Sequence, residues 1–294
     1  YALLGDPALR LHQPKPQAVV DSINGIAVGT TPLPVIKAGG TVRIAGHINS
    51  DRPFNGVATM TVRDSRELVT CRLNDNTEAE NAFQYYDRPT TIFTGSDSVK
   101  AGKFSFSFAV PRDINYSNGN GLINVYAVND DHDHIVHGSC DRFLVGGSAE
   151  LTNDSIGPSI YCYLNSPSFE NGGRVNSTPY FVARLTDKDG INVSGSGIGH
   201  NLELIIDGDM NKTYVLNDNF QYEFGSYTSG STYYNIPPLA PGKHRLQFKA
   251  WDILNNSLTT WLDFEVAKGL RPNLFSVDVS QNVTVEFGHR AEMA

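Results

Sequence analysis

Lys103-Phe104-Ser105-Phe106-Ser107-Phe108-Ala109-Val110 alternates aromatic and hydroxyl side chains, and this period of two constrains the fold more than any other feature of the chain. Successive side chains of an extended strand point to opposite faces, so Phe104, Phe106 and Phe108 are predicted to share an inward face with the serines outward. The pattern recurs. Thr41 to Ile48 puts Val42 and Ile44 on one face, and Gly56 to Val62 is predicted to turn Val57 and its alternate neighbours inward. Gly121 to Val128 follows the turn-rich connector Asn118-Gly119-Asn120. No window holds an apolar stripe of helical spacing for three turns. Together these strands predict one antiparallel sandwich.

Val145-Gly146-Gly147-Ser148 marks a boundary, and the pattern restarts after Gly157-Pro158 with Ile160 to Leu164. It continues through Tyr180 to Leu185, Leu202 to Ile206, Thr213 to Leu216, Lys243 to Trp251 and Leu262 to Val266, which predicts a second antiparallel sandwich. Asp252, Asn255 and Asn256 between the last two strands are expected to bond to local backbone and hold the turn. Trp251 and Trp261 are expected in or near the core. The fold class is therefore all-β, with two tandem immunoglobulin-like β-sandwiches at 18–148 and 149–268. Residues 1–17 are read as the end of an upstream domain or a linker, because Ala2 to Leu4 runs straight into the turn Gly5-Asp6-Pro7. Residues 269–294 are read as a short β tail.

Composition agrees and excludes some functions. The 294 residues carry 27 Gly, 15 Pro, 13 Tyr and 15 Phe, a profile of strands joined by tight turns and long enough for two cores. The net charge of -8 and the absence of a basic run argue against nucleic acid as a partner. No apolar run reaches the roughly 18 residues of a spanning helix, so no membrane insertion is expected. Cys71, Cys140 and Cys162 are an odd number and allow at most one disulfide.

Several clusters suggest chemistry. His137 and Cys140 lie three apart, which on a strand sends them to opposite faces, and the acids around them oppose a thiolate; they are not expected to form a catalytic pair. His132 and His134, two apart among aspartates, could face the same way on a strand and ligate zinc; a solvated hairpin tip is the plainer alternative. Asp187-Lys188-Asp189-Gly190-Ile191-Asn192 begins like a calcium loop but lacks the remaining EF-hand ligands. A looser structural Ca2+ site from Asp187, Asp189 and Asn192, or from Asp207 and Asp209, stands beside an ordinary Asx-type turn. Gly195-Ser196-Gly197-Ile198-Gly199-His200 has no following helix or Lys and is read as a turn, not a phosphate loop. Tyr222, Phe224, Tyr227, Tyr233 and Tyr234 could stack on sugar faces, or could cover the edge of a core.

Beyond these clusters, Leu3-Leu4-Gly5-Asp6-Pro7-Ala8-Leu9 is similar to the closing segment of gingipain-type cysteine peptidase domains. Val20 to Gly25, Ala101 to Phe108, Gly195 to His200, Leu216-Asn217-Asp218 and Lys249 to Asp252 resemble, in order, the region beyond that domain in the sortase of the Bacteroidetes type IX secretion system. Leu274 to Arg290 is similar to the first hairpin of the sorting domains that system recognises, with Asp278 to Gln281 where the family has Tyr-Pro-Asn-Pro; an added edge strand on the second sandwich is the alternative.

The resemblance implies a catalytic His and Cys upstream of Tyr1, removal of sorting domains from cargo and transfer of the cargo to a lipopolysaccharide anchor. This segment would then carry no catalytic residue and need no cofactor for chemistry. It would brace the peptidase domain of the same chain and dock cargo or secretion-system components, at the outer-membrane surface or in the periplasm of a Gram-negative bacterium. An independent adhesion or carbohydrate-binding module, using Tyr222, Tyr227, Tyr233 and Tyr234, is the competing expectation.

Overall fold

The computed structural model describes residues 18–71, 82–150, 154–195, 199–269, 277–279 and 283–285. The opening segment Tyr1 to Leu11 lies outside them, as do Ser196, Gly197 and Ile198. Strands dominate, and two short 3-10 turns are the helical elements among the described residues. No described helix is long and apolar enough to cross a membrane.

Alternation builds the first sandwich. One sheet orders Ile26–Ala27, Ala18–Ile23, Thr41–Ile48 and Lys103–Ala109; the other orders Ile135–Cys140, Leu122–Asn129, Gly56–Arg63 and Thr91–Val99. Phe104, Phe106 and Phe108 all face inward beside Ile44, Met60 and Val125. Phe108 stacks on Phe93 of the opposite sheet with ring centroids 4.7 Å apart. Burying one such side chain contributes about 1.5–3 kcal/mol before cavity effects, so this phenylalanine row is a principal anchor of the core. Val57 departs from expectation: it is exposed, and Gly56, Ala58, Met60 and Val62 face the core instead. Three inward apolar side chains, Ala58, Met60 and Val62, outweigh Val57, and a slip of one residue would expose all three.

The second sandwich repeats the plan. Ser159–Leu164, Tyr180–Thr186, Ser229–Asn235 and Gln221–Tyr222 form one sheet; Arg174–Val175, Ser257–Val266, Gly242–Trp251, Glu203–Ile206 and Thr213–Val215 form the other. Phe181 and Phe248 meet between them at 5.2 Å. Asp252 holds the turn between the longest strands as expected, accepting from the N–H of Leu254 at 2.9 Å and of Asn256 at 2.7 Å. Trp261 is not core: Phe264 and Val266 face inward, which places Trp261 on the outer face of its strand with 55% of its surface exposed.

Each sandwich is closed by a parallel pairing between an early strand and its last one. In the first, Val35–Ala38 runs parallel to Leu144–Ser148, which also takes Gly119–Asn120 as an antiparallel neighbour although those two residues were expected to lie in a connector. In the second, Arg174–Val175 runs parallel to Ser257–Val266. In the tail, Val277–Val279 and Val283–Val285 pair with each other as a separate two-stranded sheet, and Ser280 and Gln281 of the expected turn lie outside the described residues.

Candidate functional site

The chain leaves its phenylalanine strand through Pro111-Arg112-Asp113, and Asp113 becomes the polar centre of the junction between the sandwiches. Three donors of the second sandwich converge on this one carboxylate. His200 Nδ1 lies 2.5 Å from Oδ2, Asn192 Nδ2 3.3 Å from the same oxygen, and Asn255 Nδ2 3.2 Å from Oδ1. His200 in turn packs on Trp251 at 4.3 Å, and Lys249 Nζ sits 4.2 Å above the indole. Backbone bonds flank the centre: Arg112 N–H donates to Ile253 O at 3.1 Å and Gly225 N–H to Ser96 O at 2.9 Å. Ala109, Ile253 and Leu254 form a small apolar cluster beside it, with Tyr227 packed against them.

The tyrosines of the 222–234 segment divide between this junction and the surface. Tyr222 packs against both cores, lies 5.4 Å from Phe93 of the first sandwich and donates its hydroxyl to Ile191 O at 2.6 Å. Burial pushes its phenol well above the ordinary value. Tyr227 also packs against the first core. These two rings are occupied by protein and offer no shared platform with the others. Tyr234 stacks on Tyr214 at 4.7 Å, while Tyr233, on the opposite face of the strand, meets Tyr180 at 6.0 Å and stays exposed.

The residues singled out as metal candidates lie in or beside turns. His132 sits at φ 58 in the bend before Ile135–Cys140, so it and His134 do not share a strand face as expected; His132 Nδ1 contacts Asp130 O, and Phe54 meets the His134 ring edge-on. Asp187 Oδ1 accepts from the N–H groups of Asp189 at 2.8 Å and Gly190 at 3.2 Å, an Asx-type turn that delivers Asn192 to Asp113. Lys188 Nζ lies 3.2 Å from Asp154 and 3.6 Å from Asp189, so an ammonium stands among these carboxylates. Burial raises the pKa of both Asp187 and Asp189. Asp207 bonds His244 at 2.8 Å and the Arg245 N–H at 3.0 Å, and Asp209 caps a 3-10 turn through Asn211 N–H. Among the described residues no group of three or more His, Cys, Asp or Glu is arranged to hold a metal.

His137 and Cys140 alternate across their strand, with Cys140 on the buried side. Burial raises the Cys140 thiol and pushes Cys162 to about 11, the reverse of what a nucleophile needs. All three cysteines are unpaired.

The outer face of the Gly242–Trp251 and Ser257–Val266 pair carries the second candidate surface. Trp261 Nε1 donates to Gln247 Oε1 at 3.3 Å, and Arg245 forks onto Asp263 at 2.7 and 2.9 Å. Lys243 and His244 complete a cleft of about 510 Å³ with these groups. The parity of Leu262, Phe264 and Val266 was the available signal for an outward Trp261. No local signal marks Asp113, because its partners lie 79, 87 and 142 residues further on.

Comparison with solved structures finds the latent, dimeric PorU of Porphyromonas gingivalis at 33% identity over 95% of this chain, with a TM-score of 0.55. The chain is similar to a segment of PorU. It spans 26% of PorU's length. The likeness to PorU covers both sandwiches together, since it takes in nearly all of the chain. A red sea bream transglutaminase matches at 11% identity over 87% of this chain and 32% of that one, with a TM-score of 0.27, too low to inform the fold. No protein-family model matches the sequence, and no curated protein matches it.

Proposed function

We propose that this chain is a non-catalytic β-sandwich region of a PorU-like, secretion-associated cysteine peptidase, bracing the catalytic domain and docking cargo or secretion partners outside the cytoplasm. The observation that carries the reading is the 33% identity to PorU over 95% of the chain. The junction at Asp113 supports a brace, because side chains and backbone of both sandwiches are joined there rather than linked by a free tether. The buried Cys140 and half-buried Cys162, whose thiols burial pushes upward, support a region without peptidase chemistry of its own. The test immobilises the purified chain and titrates a secreted cargo with and without its C-terminal sorting domain. Saturable binding that requires the sorting domain is expected; binding of neither form removes the cargo-docking role.

A second reading, a glycan-binding module, is favoured by one observation: Trp261 presents an exposed indole beside the amide of Gln247 and the Arg245–Asp263 pair. On this reading the sugar would stack on Trp261 rather than on the tyrosines. A glycan array hit lost in Trp261→Ala, without any sorting-domain binding, would select it.

A further inference from the structure

The first sandwich carries a cleft of about 380 Å³ lined by three arginines, Arg66, Arg88 and Arg142, against a single carboxylate, Asp141. Arg66 and Arg88 enter from the base of the Glu67–Thr70 and Gln84–Asp87 hairpin, and Arg142 from the turn after Ile135–Cys140. Gly119 and Asn120 form the remaining wall with Asp141. Among the described residues, none of these three arginines makes a salt bridge, although the chain as a whole is acidic at -8.

Arg88 is the key side chain. Its Nη2 donates to Asn120 O at 3.3 Å, and its backbone carbonyl accepts from Arg63 Nη1 at 3.1 Å, so its position is fixed from both ends. Its Nε is buried and has no hydrogen-bond partner. A buried donor on a charged group left unpaired is costly, and such groups in folded proteins have a partner in the great majority of cases. Burial lowers the Arg88 pKa and the neighbouring Arg66 lowers it further, while Asp141 acts in the opposite direction. Asn120 Nδ2 donates to Asp141 O at 2.9 Å and fixes the wall opposite.

We propose that this cleft binds a phosphate monoester. Three guanidiniums against the single Asp141 leave two positive charges in excess, which matches a phosphate of about -1.5 to -2 at neutral pH better than a carboxylate. Arginine forks suit phosphate oxygens because each presents paired N–H donors in one plane. The inference is independent of the peptidase relationship, since it rests on the first sandwich alone.

Calorimetric titration of the whole chain with inorganic phosphate, followed by 31P line broadening, tests it. One saturable site is expected, weakened at least about ten-fold in Arg66→Ala and in Arg142→Ala, whose exposed side chains can be removed without disturbing the core. Arg88→Lys, which keeps the charge but loses the Nε, should weaken it comparably, and Arg174→Ala on the second sandwich should leave it unchanged. Glucose 6-phosphate and vesicles containing phosphatidic acid, each competed against inorganic phosphate, distinguish a sugar from a lipid source. Absence of saturable phosphate binding, equal affinity in Arg66→Ala and Arg142→Ala, or acetate binding as tightly as phosphate would overturn the proposal.

Discussion

Gly138 shows how much a missing side chain can decide. A Cβ there would lie 1.7 Å from Ala18 O, so the strand Ala18–Ile23 can approach Ile135–Cys140 only over a glycine. Gly138→Ala should therefore cost about 1–3 kcal/mol through forced backbone movement, read as a lower urea midpoint at unchanged slope. Asp64 makes a different prediction. It is buried, and burial raises its pKa above the ordinary carboxylate value although the N–H groups of Asn115 and Ser65 pull the other way. A raised folded pKa contributes stability fully below the unfolded pKa, and that contribution is lost as pH climbs through the folded one. The advantage of the wild type over Asp64→Asn should accordingly be larger near about pH 4 than near about pH 7 in urea unfolding. A gap that is flat or grows with pH would mean that Asp64 ionises in the fold without penalty. Residues of this kind were not legible beforehand, since Gly138 and Asp64 owe their roles to neighbours far along the chain.

At the scale of the element, alternation was legible wherever one face carried large apolar groups. Phe104, Phe106 and Phe108 could be placed from the sequence because no alternative register buries three aromatic rings. Gly56 to Val62 was ambiguous, since apolar residues occur on both parities, and pairing with Leu122–Asn129 decided it. The 222–234 segment was ambiguous for another reason. Tyrosine suits an exposed sugar platform and a buried edge equally well, and only the partner surface distinguishes them. Tyr222 resolves the matter by its hydroxyl bond to Ile191 O. Tyr222→Phe should cost about 0.5–1.5 kcal/mol for that bond, and Tyr222→Ala about 3–5 kcal/mol through the cavity left between the two cores, both measured by thermal or urea unfolding. Equal effects of the two substitutions would mean that the ring contributes nothing beyond its hydroxyl.

For the whole molecule, Asp113 implies coupling between the sandwiches. The wild type should melt as one calorimetric transition, whereas Asp113→Ala, which strands Asn192 and Asn255 at about 1–3 kcal/mol for each donor left unpaired, should separate it into two. A single, merely shifted transition would assign the coupling to Tyr222, Tyr227 and the apolar cluster instead. The parallel closures carry a further consequence, for the order in which the molecule is completed. Val35–Ala38 must wait for Leu144–Ser148, and Arg174–Val175 for Ser257–Val266, so neither sandwich is closed until its last strand is delivered. A chain emerging from its N-terminus would finish the first sandwich while the second is still being supplied, leaving Asp113 without His200 or Asn255 until near the end. The junction thus forms late in vectorial assembly, ahead only of the closing strand Ser257–Val266, and a chain arrested there would still carry unsealed strand edges.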